Sequence, residues 1–174
     1  VGSPRLMREV GISLAEHEDE IGRLESQAKT VVVFAVNEQP IGIIGIADTL
    51  KEDAQEAVVK LNKLGIETVM ITGDNTKTAE AIAKQLGIKK VFAEVLPQDK
   101  AEKIKLLQRE GLKVSFTGDG INDAPALVQA DLGIAIGTGT DIAIEAGNIV
   151  LVKGHPLKVV EALNLAKMTF KTIK

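Results

Sequence analysis

From residue 41 onward, short runs of β-branched and other apolar residues alternate with longer stretches in which apolar residues recur every three or four positions. Short apolar runs without strict alternation are typical of strands covered on both faces, and the intervening stretches are typical of amphipathic helices. The alternation predicts an α/β fold, with a parallel sheet and flanking helices. The predicted strands of this region are 41–47, 67–71, 90–93, 113–117, 132–136 and 148–152.

Start and stop signals place four helices among these strands. The start signals are side chains that can cap a helix, or prolines that suit its first turn. They are Thr49 with Glu52, then Asp74 or Asn75, then Pro97 and finally Pro156, which opens a helix over 156–174. Glycines suit the left-handed position that ends many helices, and they predict stops at Gly65, Gly87 and Gly111.

Residues 1–40 follow a different pattern. Ser13 with Glu16 forms a capping-box pattern, which predicts an amphipathic helix to about Ala28. A strand over 30–36 and a turn through 37–40 then lead into strand 41–47, so the two strands are predicted to form a hairpin. We therefore divide the chain into a small unit, 1–40, and an α/β unit, 41–174.

Composition limits the chemistry that this chain can carry. The chain has 174 residues, no cysteine and two histidines, so disulfides and Cys/His metal cages are excluded, and any metal must bind oxygen ligands. Interspersed charges, a net charge of −3 and 2% aromatic residues argue against nucleic-acid binding. The apolar runs are shorter than the roughly 20 residues of a membrane span, and no signal-peptide pattern opens the chain. We therefore expect no membrane insertion by this chain and an intracellular location.

The densest polar segment follows the predicted strand 113–117, in the loop from Gly118 to Pro125. In open parallel sheets, ligands bind beyond the carboxyl ends of the strands. Asp119 and Asp123 offer the one or two carboxylates by which Mg²⁺ is typically held, and Gly118 and Gly120 allow close backbone approach. The alternative is a solvated turn in which aspartate caps a helix.

Two further segments suit phosphate. Thr72-Gly73-Asp74 offers a hydroxyl and backbone N–H groups at a predicted helix start, although a simple capping turn is the alternative. Lys100 can neutralise phosphate charge, although an exposed lysine is usually only solvated. The loop 137–140 is interpreted as a turn with a helix cap, with a phosphate cradle as the alternative. Both histidines are interpreted as surface or capping residues.

In this order, Thr72-Gly73-Asp74, Pro97-x-x-Lys100 and the segment from Gly118 to Leu127 resemble the phosphorylation domain of P-type cation-transporting ATPases. These proteins belong to the haloacid-dehalogenase-like superfamily, and the likeness is closest to their heavy-metal, copper-exporting branch. The resemblance implies a Rossmann-like parallel sheet with flanking helices. It also implies that residues 1–40 are the remnant of a nucleotide-binding domain.

The resemblance implies a role for each matched residue. Thr72, with Gly73 and Asp74, would bind the transferred phosphoryl oxygen, and Lys100 would offset its negative charge. Asp119 would bind Mg²⁺ directly, while Asn122 and Asp123 would complete the shell or orient its waters. Gly118 and Gly120 would let the loop approach the bound group.

One departure from the family decides what the chain can do alone. The family's nucleophile is an aspartate in an Asp-Lys-Thr-Gly-Thr segment, and the sequence contains no such segment. That aspartate would end a central strand lying between the strands that end here at Thr72 and Gly118. The resemblance therefore implies a missing central strand and a chain that does not autophosphorylate.

We expect this chain to be the carboxyl-terminal part of the ATP-hydrolysing unit of a heavy-metal transporting pump, with copper as the expected ion. Its cofactor would be Mg²⁺, ATP would be the substrate of the intact protein, and the rest of the pump would be its partner. The parent would lie in the cell membrane, with this part on the cytoplasmic face. The alternative is a free-standing, non-catalytic module that regulates a partner protein and has its own replacement for the central strand. A small-molecule phosphatase of the same superfamily would also need the nucleophilic aspartate.

Overall fold

A computed structural model of the chain describes residues 1–47, 50–118, 121–136, 147–152 and 154–173. Its helices are α1 Pro4–Glu9, α2 Glu18–Ser26, α3 Ala54–Lys63, α4 Thr76–Leu86, α5 Lys100–Arg109, α6 Ala124–Gln129 and α7 Leu157–Ile173. Its strands are β1 Lys29–Val36, β2 Gln39–Ala47, β3 Val69–Ile71, β4 Lys90–Phe92, β5 Ser115–Gly118, β6 Leu132–Ile136 and β7 Ile149–Leu151. The predicted α/β class is confirmed, whereas the short helices α1 and α6 were not predicted.

Strands β1 and β2 form the predicted antiparallel hairpin, with Lys29 opposite Ala47. One face of the hairpin is apolar and packs against the helices that precede it, because alternate residues of a strand point to the same side. This core contains Met7, Leu14, Ile21, Leu24, Val31 and Val33. The hairpin spans the division that we placed after residue 40, because β2 begins at Gln39 and continues to Ala47.

The first long helix begins later than its capping pattern predicts. Ser13 accepts a weak hydrogen bond from the N–H of Ala15, at 3.5 Å, rather than from that of Glu16. A short 3₁₀ turn over Ala15–His17 comes next, and α2 begins at Glu18. The predicted capping box is therefore wrong. The acidic first turn of α2, Glu18 to Glu20, lies at the helix end where the dipole favours negative charge.

Parallel pairing dominates the rest of the chain. Strand β3 pairs with β4, and strands β5, β6 and β7 pair in that order. Strand β6 is buried on both faces, with Ala135 packed near Leu127 of α6 and Ile134 packed near Val159 of α7. This double burial explains why its sequence lacks a polar alternation.

The two parallel sheets are separate. Among the described residues, β3 pairs only with β4 and β5 pairs only with β6. Helix α5 connects β4 to β5, and so it passes from one sheet to the other. Among the described strands, β3 and β5 therefore do not pair directly with each other.

Most of the predicted helix ends agree with the structure. Asn75, rather than Asp74, caps α4, and its side-chain oxygen accepts from the N–H of Thr78 at 3.0 Å. Gly87 ends that helix with φ of +75°, a conformation that glycine adopts without steric cost. Pro97 opens a 3₁₀ turn, Pro97–Asp99, from which α5 continues. Thr49, the predicted cap of α3, lies outside the described residues.

Helix α7 is held at its start by a residue distant in sequence. The carboxylate of Asp53, at the start of α3, accepts from the N–H of Leu157 at 3.0 Å across 104 positions of the chain. Leu165, Met168 and Ile173 of α7 are largely exposed. Within the described ranges, no helix combines the length and the apolar character that a bilayer crossing requires.

At the amino ends of β5 and β6, Asp131 accepts hydrogen bonds from the ammonium of Lys113 (2.7 Å), the amide of Gln108 (3.0 Å) and the N–H of Val114 (3.0 Å). These bonds, that of Lys113 first, hold the pKa of Asp131 far below its ordinary value of 3.8. Because the folded-state pKa is lowered, the stabilisation is present above pH 4 and is lost as the pH falls.

We therefore expect Asp131→Asn to lower the free energy of unfolding at pH 7, and the difference from the unsubstituted chain to shrink as the pH falls below about 4. Urea unfolding at pH 7, 4 and 3 measures this. A difference that stays constant across these pH values would contradict the role of the charge.

Candidate functional site

The first part of the site lies where β5 ends. Gly118 is the last residue of this strand, and a 3₁₀ turn over Ile121–Asp123 leads into α6. Asp123 is buried, with 8% of its surface exposed, and its Oδ1 accepts from the Nζ of Lys100 at 2.7 Å. A charge is rarely buried without a partner, so this ion pair accounts for the position of the carboxylate.

Lys100 reaches this carboxylate from α5, the helix that connects the two parallel sheets. It is the first residue of α5, directly after the 3₁₀ turn that follows β4. Ile104 and Leu107 are buried on the inner face of α5, so the helix is packed against the rest of the protein. The side chain of Lys100 is only 19% exposed, so its ammonium is held in place rather than freely solvated. The interpretation of Lys100 as an ordinary surface lysine is therefore wrong.

Gly118 makes room for the carboxylate of Asp123. A Cβ atom on Gly118 would lie 2.7 Å from Oδ2, 2.8 Å from Cβ and 2.9 Å from Cγ of Asp123. Such distances are shorter than real side-chain contacts, so any larger residue would displace the aspartate. The sequence predicted close backbone approach at this glycine, and the group that approaches is the chain's own carboxylate.

The second part of the site is the loop after β3. The hydroxyl of Thr72 donates to Oδ2 of Asp74 at 2.8 Å and accepts from the N–H of Asp74 at 3.1 Å. The hydroxyl of Thr30, from the hairpin, lies 3.5 Å from Oδ1 of the same carboxylate. Gly73, which lies between Thr72 and Asp74 in the sequence, is exposed. The loop is therefore closed on itself, with the Thr72 hydroxyl held at its centre.

The segment between β4 and α5 joins the two parts. The N–H of Val95 donates to the carbonyl of Thr72 at 3.0 Å, and the N–H of Glu94 donates to the carbonyl of Asp74 at 2.9 Å. Five residues later, the same segment presents Lys100 to Asp123. The carboxyl ends of β3 and β5 are thus connected through one stretch of backbone.

The described site residues lie in two places. Asp123 bonds to Lys100 and lies against Gly118, while Thr72 and Asp74, on either side of Gly73, are hydrogen-bonded to each other. Asn122 is exposed beside Asp123. Asp119 and Gly120, predicted to bind the metal and approach the bound group, lie outside the described residues, as does the loop 137–140.

Glu94 is a further residue, beside the loop after β3, that no sequence motif indicated. Its side chain reaches the start of α4, where its Oε1 accepts from the hydroxyl of Thr76 at 3.1 Å. The available signal was positional, because residue 94 lies two positions beyond the end of β4, and Thr72 lies directly beyond the end of its neighbour β3.

The carboxylate and the ammonium at this site suit a hard cation that is bound next to an anion. Asp123 supplies a buried carboxylate, and Lys100 supplies a positive charge in contact with it. Mg²⁺ prefers oxygen ligands and usually keeps much of its water, so one or two carboxylates suffice. In the part of the chain that the structure describes, no group of three or more acidic or histidine side chains is placed to hold a metal.

Comparison by sequence finds related proteins whose alignments extend over the whole of this chain. The model of the haloacid dehalogenase-like hydrolase family matches residues 1–131. A copper-exporting P-type ATPase of Staphylococcus aureus (strain JH9) is 48% identical over 175 residues, and its counterpart in the bovine strain RF122 / ET3-1 is 49% identical. The alignment covers all of this chain but only 22% of the relative's length.

Comparison by structure finds the same kind of protein. A zinc-transporting PIB-type ATPase, crystallised in the E2.Pi state, superposes with a TM-score of 0.75 and 41% identity. The match covers 91% of this chain and 26% of that protein chain. The catalytic domain of the CPx-ATPase CopB-B is also similar, with a TM-score of 0.55 and 30% identity over 68% of this chain and 47% of its own.

Proposed function

Since the chain belongs to the haloacid dehalogenase-like hydrolase family, we propose that it is the carboxyl-terminal part of the ATP-hydrolysing unit of a heavy-metal transporting P-type ATPase. The observation that carries this proposal is the contact between Lys100 and Asp123 beside Gly118, at the carboxyl end of β5. The names of the similar pumps favour copper as the transported ion, with zinc as the alternative. The parent would lie in the cell membrane, with this part on the cytoplasmic face and the rest of the pump as its partner.

Phosphoryl transfer requires mainly positioning and neutralisation of charge, and the residues present supply both. Asp123 and Asp119 would hold Mg²⁺, with Asn122 orienting its waters. When bound, this ion would neutralise charge on the phosphoryl oxygens. Lys100 would neutralise a further oxygen, and Thr72, Gly73 and Asp74 would bind the group from the β3 side. Gly118 and Gly120 would keep space for it.

The nucleophilic aspartate of the family would come from a segment that this sequence does not contain. The separate sheets support this proposal, because β3 and β5 each have one neighbour among the described residues. An added strand between them would join β3 and β4 to β5, β6 and β7 in one six-stranded parallel sheet and deliver its final residue between Thr72 and Gly118. The regulatory-module alternative expected an internal replacement for that strand, and the described strands offer none in this position.

A complementation experiment tests this arrangement. We expect a synthetic peptide that contains an apolar strand followed by Asp-Lys-Thr-Gly-Thr to slow amide hydrogen exchange in β3 and β5 by about tenfold or more. A scrambled peptide of the same composition is the control. The hairpin β1–β2 is the internal reference and should exchange at an unchanged rate. Equal exchange with both peptides would contradict the proposed strand position.

Catalysis by the chain alone provides a second test. Without the peptide, ATP should be hydrolysed no faster in the presence of the chain than in buffer alone, because the chain lacks the nucleophile. Robust ATP turnover that is abolished by Asp119→Asn would reject the proposal in favour of an independent enzyme.

A further inference from the structure

The loop Thr72-Gly73-Asp74 is held from outside by two consecutive amides. The N–H of Glu94 donates to the carbonyl of Asp74 at 2.9 Å, and the N–H of Val95 donates to the carbonyl of Thr72 at 3.0 Å. Val95 is buried, with 4% of its surface exposed, so its backbone is anchored in the core. The loop therefore has its shape imposed by the segment that follows β4.

The side chain of Glu94 holds the other side of the same turn. Its Oε1 accepts from the hydroxyl of Thr76 at 3.1 Å and from the N–H of Thr76 at 3.4 Å. Thr76 is the first residue of α4, where unpaired N–H groups and the helix dipole favour a carboxylate. Glu94 thus bonds to Asp74 through its backbone and to Thr76 through its side chain, on both sides of the capping residue Asn75.

The backbone of Glu94 is in an unusual conformation for this role. Its φ is +56°, in the left-handed region that glycine occupies at no steric cost and that most other residues avoid. A glutamate at this position therefore opposes the local preference of the chain. The hydrogen bonds to Asp74 and Thr76 offset that preference, and a glycine could supply only the first of them.

We propose that Glu94 is a positioning residue for the phosphoryl-binding loop. By fixing the residues on either side of Asn75, it holds Asp74, whose carboxylate in turn accepts from the hydroxyl of Thr72 at 2.8 Å. The direction of that hydroxyl, and of the N–H of Gly73, depends on this chain of bonds. The inference rests on the proposed function, because it takes the loop to bind a phosphoryl group.

Three variants separate the contributions of the side chain and the backbone. Glu94→Gln keeps an acceptor oxygen, Glu94→Ala removes it, and Glu94→Gly removes it while relieving the left-handed φ. In the alanine and glycine variants we expect the N–H of Thr76 to exchange about tenfold faster, which corresponds to the loss of one hydrogen bond. In the glutamine variant we expect exchange within about threefold of the unsubstituted chain.

The NMR shift of the Gly73 amide during titration with inorganic phosphate and Mg²⁺ gives the functional readout. We expect the alanine and glycine variants to bind phosphate about fivefold to tenfold more weakly than the glutamine variant. A role confined to stability would lower the thermal midpoint without changing this affinity below the transition. Glutamine behaving like alanine would still support positioning by Glu94, with its negative charge at the start of α4 as the main contribution.

The two proposals fail in different ways. If the unsubstituted chain shows no phosphate-dependent shift, the phosphoryl-binding function proposed for this loop fails. Positioning by Glu94 is then still decided by Thr76 exchange together with the shifts of Thr72 and Asp74 in the alanine variant. Unchanged exchange and unchanged shifts overturn it, and so does a glycine variant in which all three residues behave as in the unsubstituted chain.

Discussion

Gly118→Ala is expected to lower the free energy of unfolding by about 1–3 kcal/mol, because the new methyl group has no room. Its carbon would lie 2.7 Å from Oδ2 of Asp123 and 2.8 Å from Cβ of the same residue. Either Asp123 rotates away from Lys100 or the end of β5 moves. Both adjustments weaken a buried ion pair, so the strain cannot be relieved without loss of the site geometry.

Gly42→Ala in β2 is the matched control, because a Cβ atom there meets nothing within 4 Å. Both substitutions place alanine in a strand, so they share the same change in the entropy of the unfolded chain. Urea unfolding should show a clear loss in the free energy of unfolding for Gly118→Ala. For Gly42→Ala, the free energy of unfolding should change by no more than about 0.5 kcal/mol. Equal effects at the two positions would mean that the approach of Asp123 to Gly118 does not constrain the site.

The second large effect is expected for Lys100→Met. This change keeps the length and much of the apolar stem of the side chain but leaves the carboxylate of Asp123 without its cation. The two side chains are 19% and 11% exposed, so solvent cannot fully replace the lost partner. We expect a destabilisation of about 2–4 kcal/mol, toward the lower end because some solvation remains.

A double-mutant cycle identifies the cause. If the cost arises from an unpaired buried charge, Lys100→Met combined with Asp123→Asn should be more stable than Lys100→Met alone. Lys60→Met provides the surface control, because its partner Glu56 and Lys60 itself are about half exposed, at 56% and 48%. That control should change stability by less than about 0.5 kcal/mol. Additive effects of the two site substitutions would rule out direct coupling.

Several features of the fold were predictable because they depend on neighbours in sequence. The strand 132–136 was predicted with its observed bounds, since a short run without polar residues, preceded by Asp131 and followed by Gly137, suits a fully buried strand. The cap at Asn75 and the stop at Gly87 follow from side-chain chemistry and φ preference within one helical turn. The matched motifs also placed the candidate chemistry at the carboxyl ends of strands.

Other features could not be predicted, because a competing local interaction or a distant residue decided them. At Ser13, a 3₁₀ turn displaced the capping box and moved the helix start to Glu18. At Asp53, the carboxylate accepts from Leu157, 104 residues away, rather than capping its own helix. No short-range pattern specifies which of several acceptors a helix start will meet.

Local sequence patterns are enough to predict the α/β class, the succession of strands and helices along the chain, most helix ends and the set of polar residues from which a phosphoryl site could be built. These depend on periodicity, capping and backbone preference, all of which act within a few residues. Three features are visible only in the folded chain: Lys100 pairs with Asp123, Gly118 leaves space for that carboxylate, and β3 and β5 belong to separate sheets. These features depend on excluded volume, charge burial and strand pairing between segments that meet only after the chain has folded.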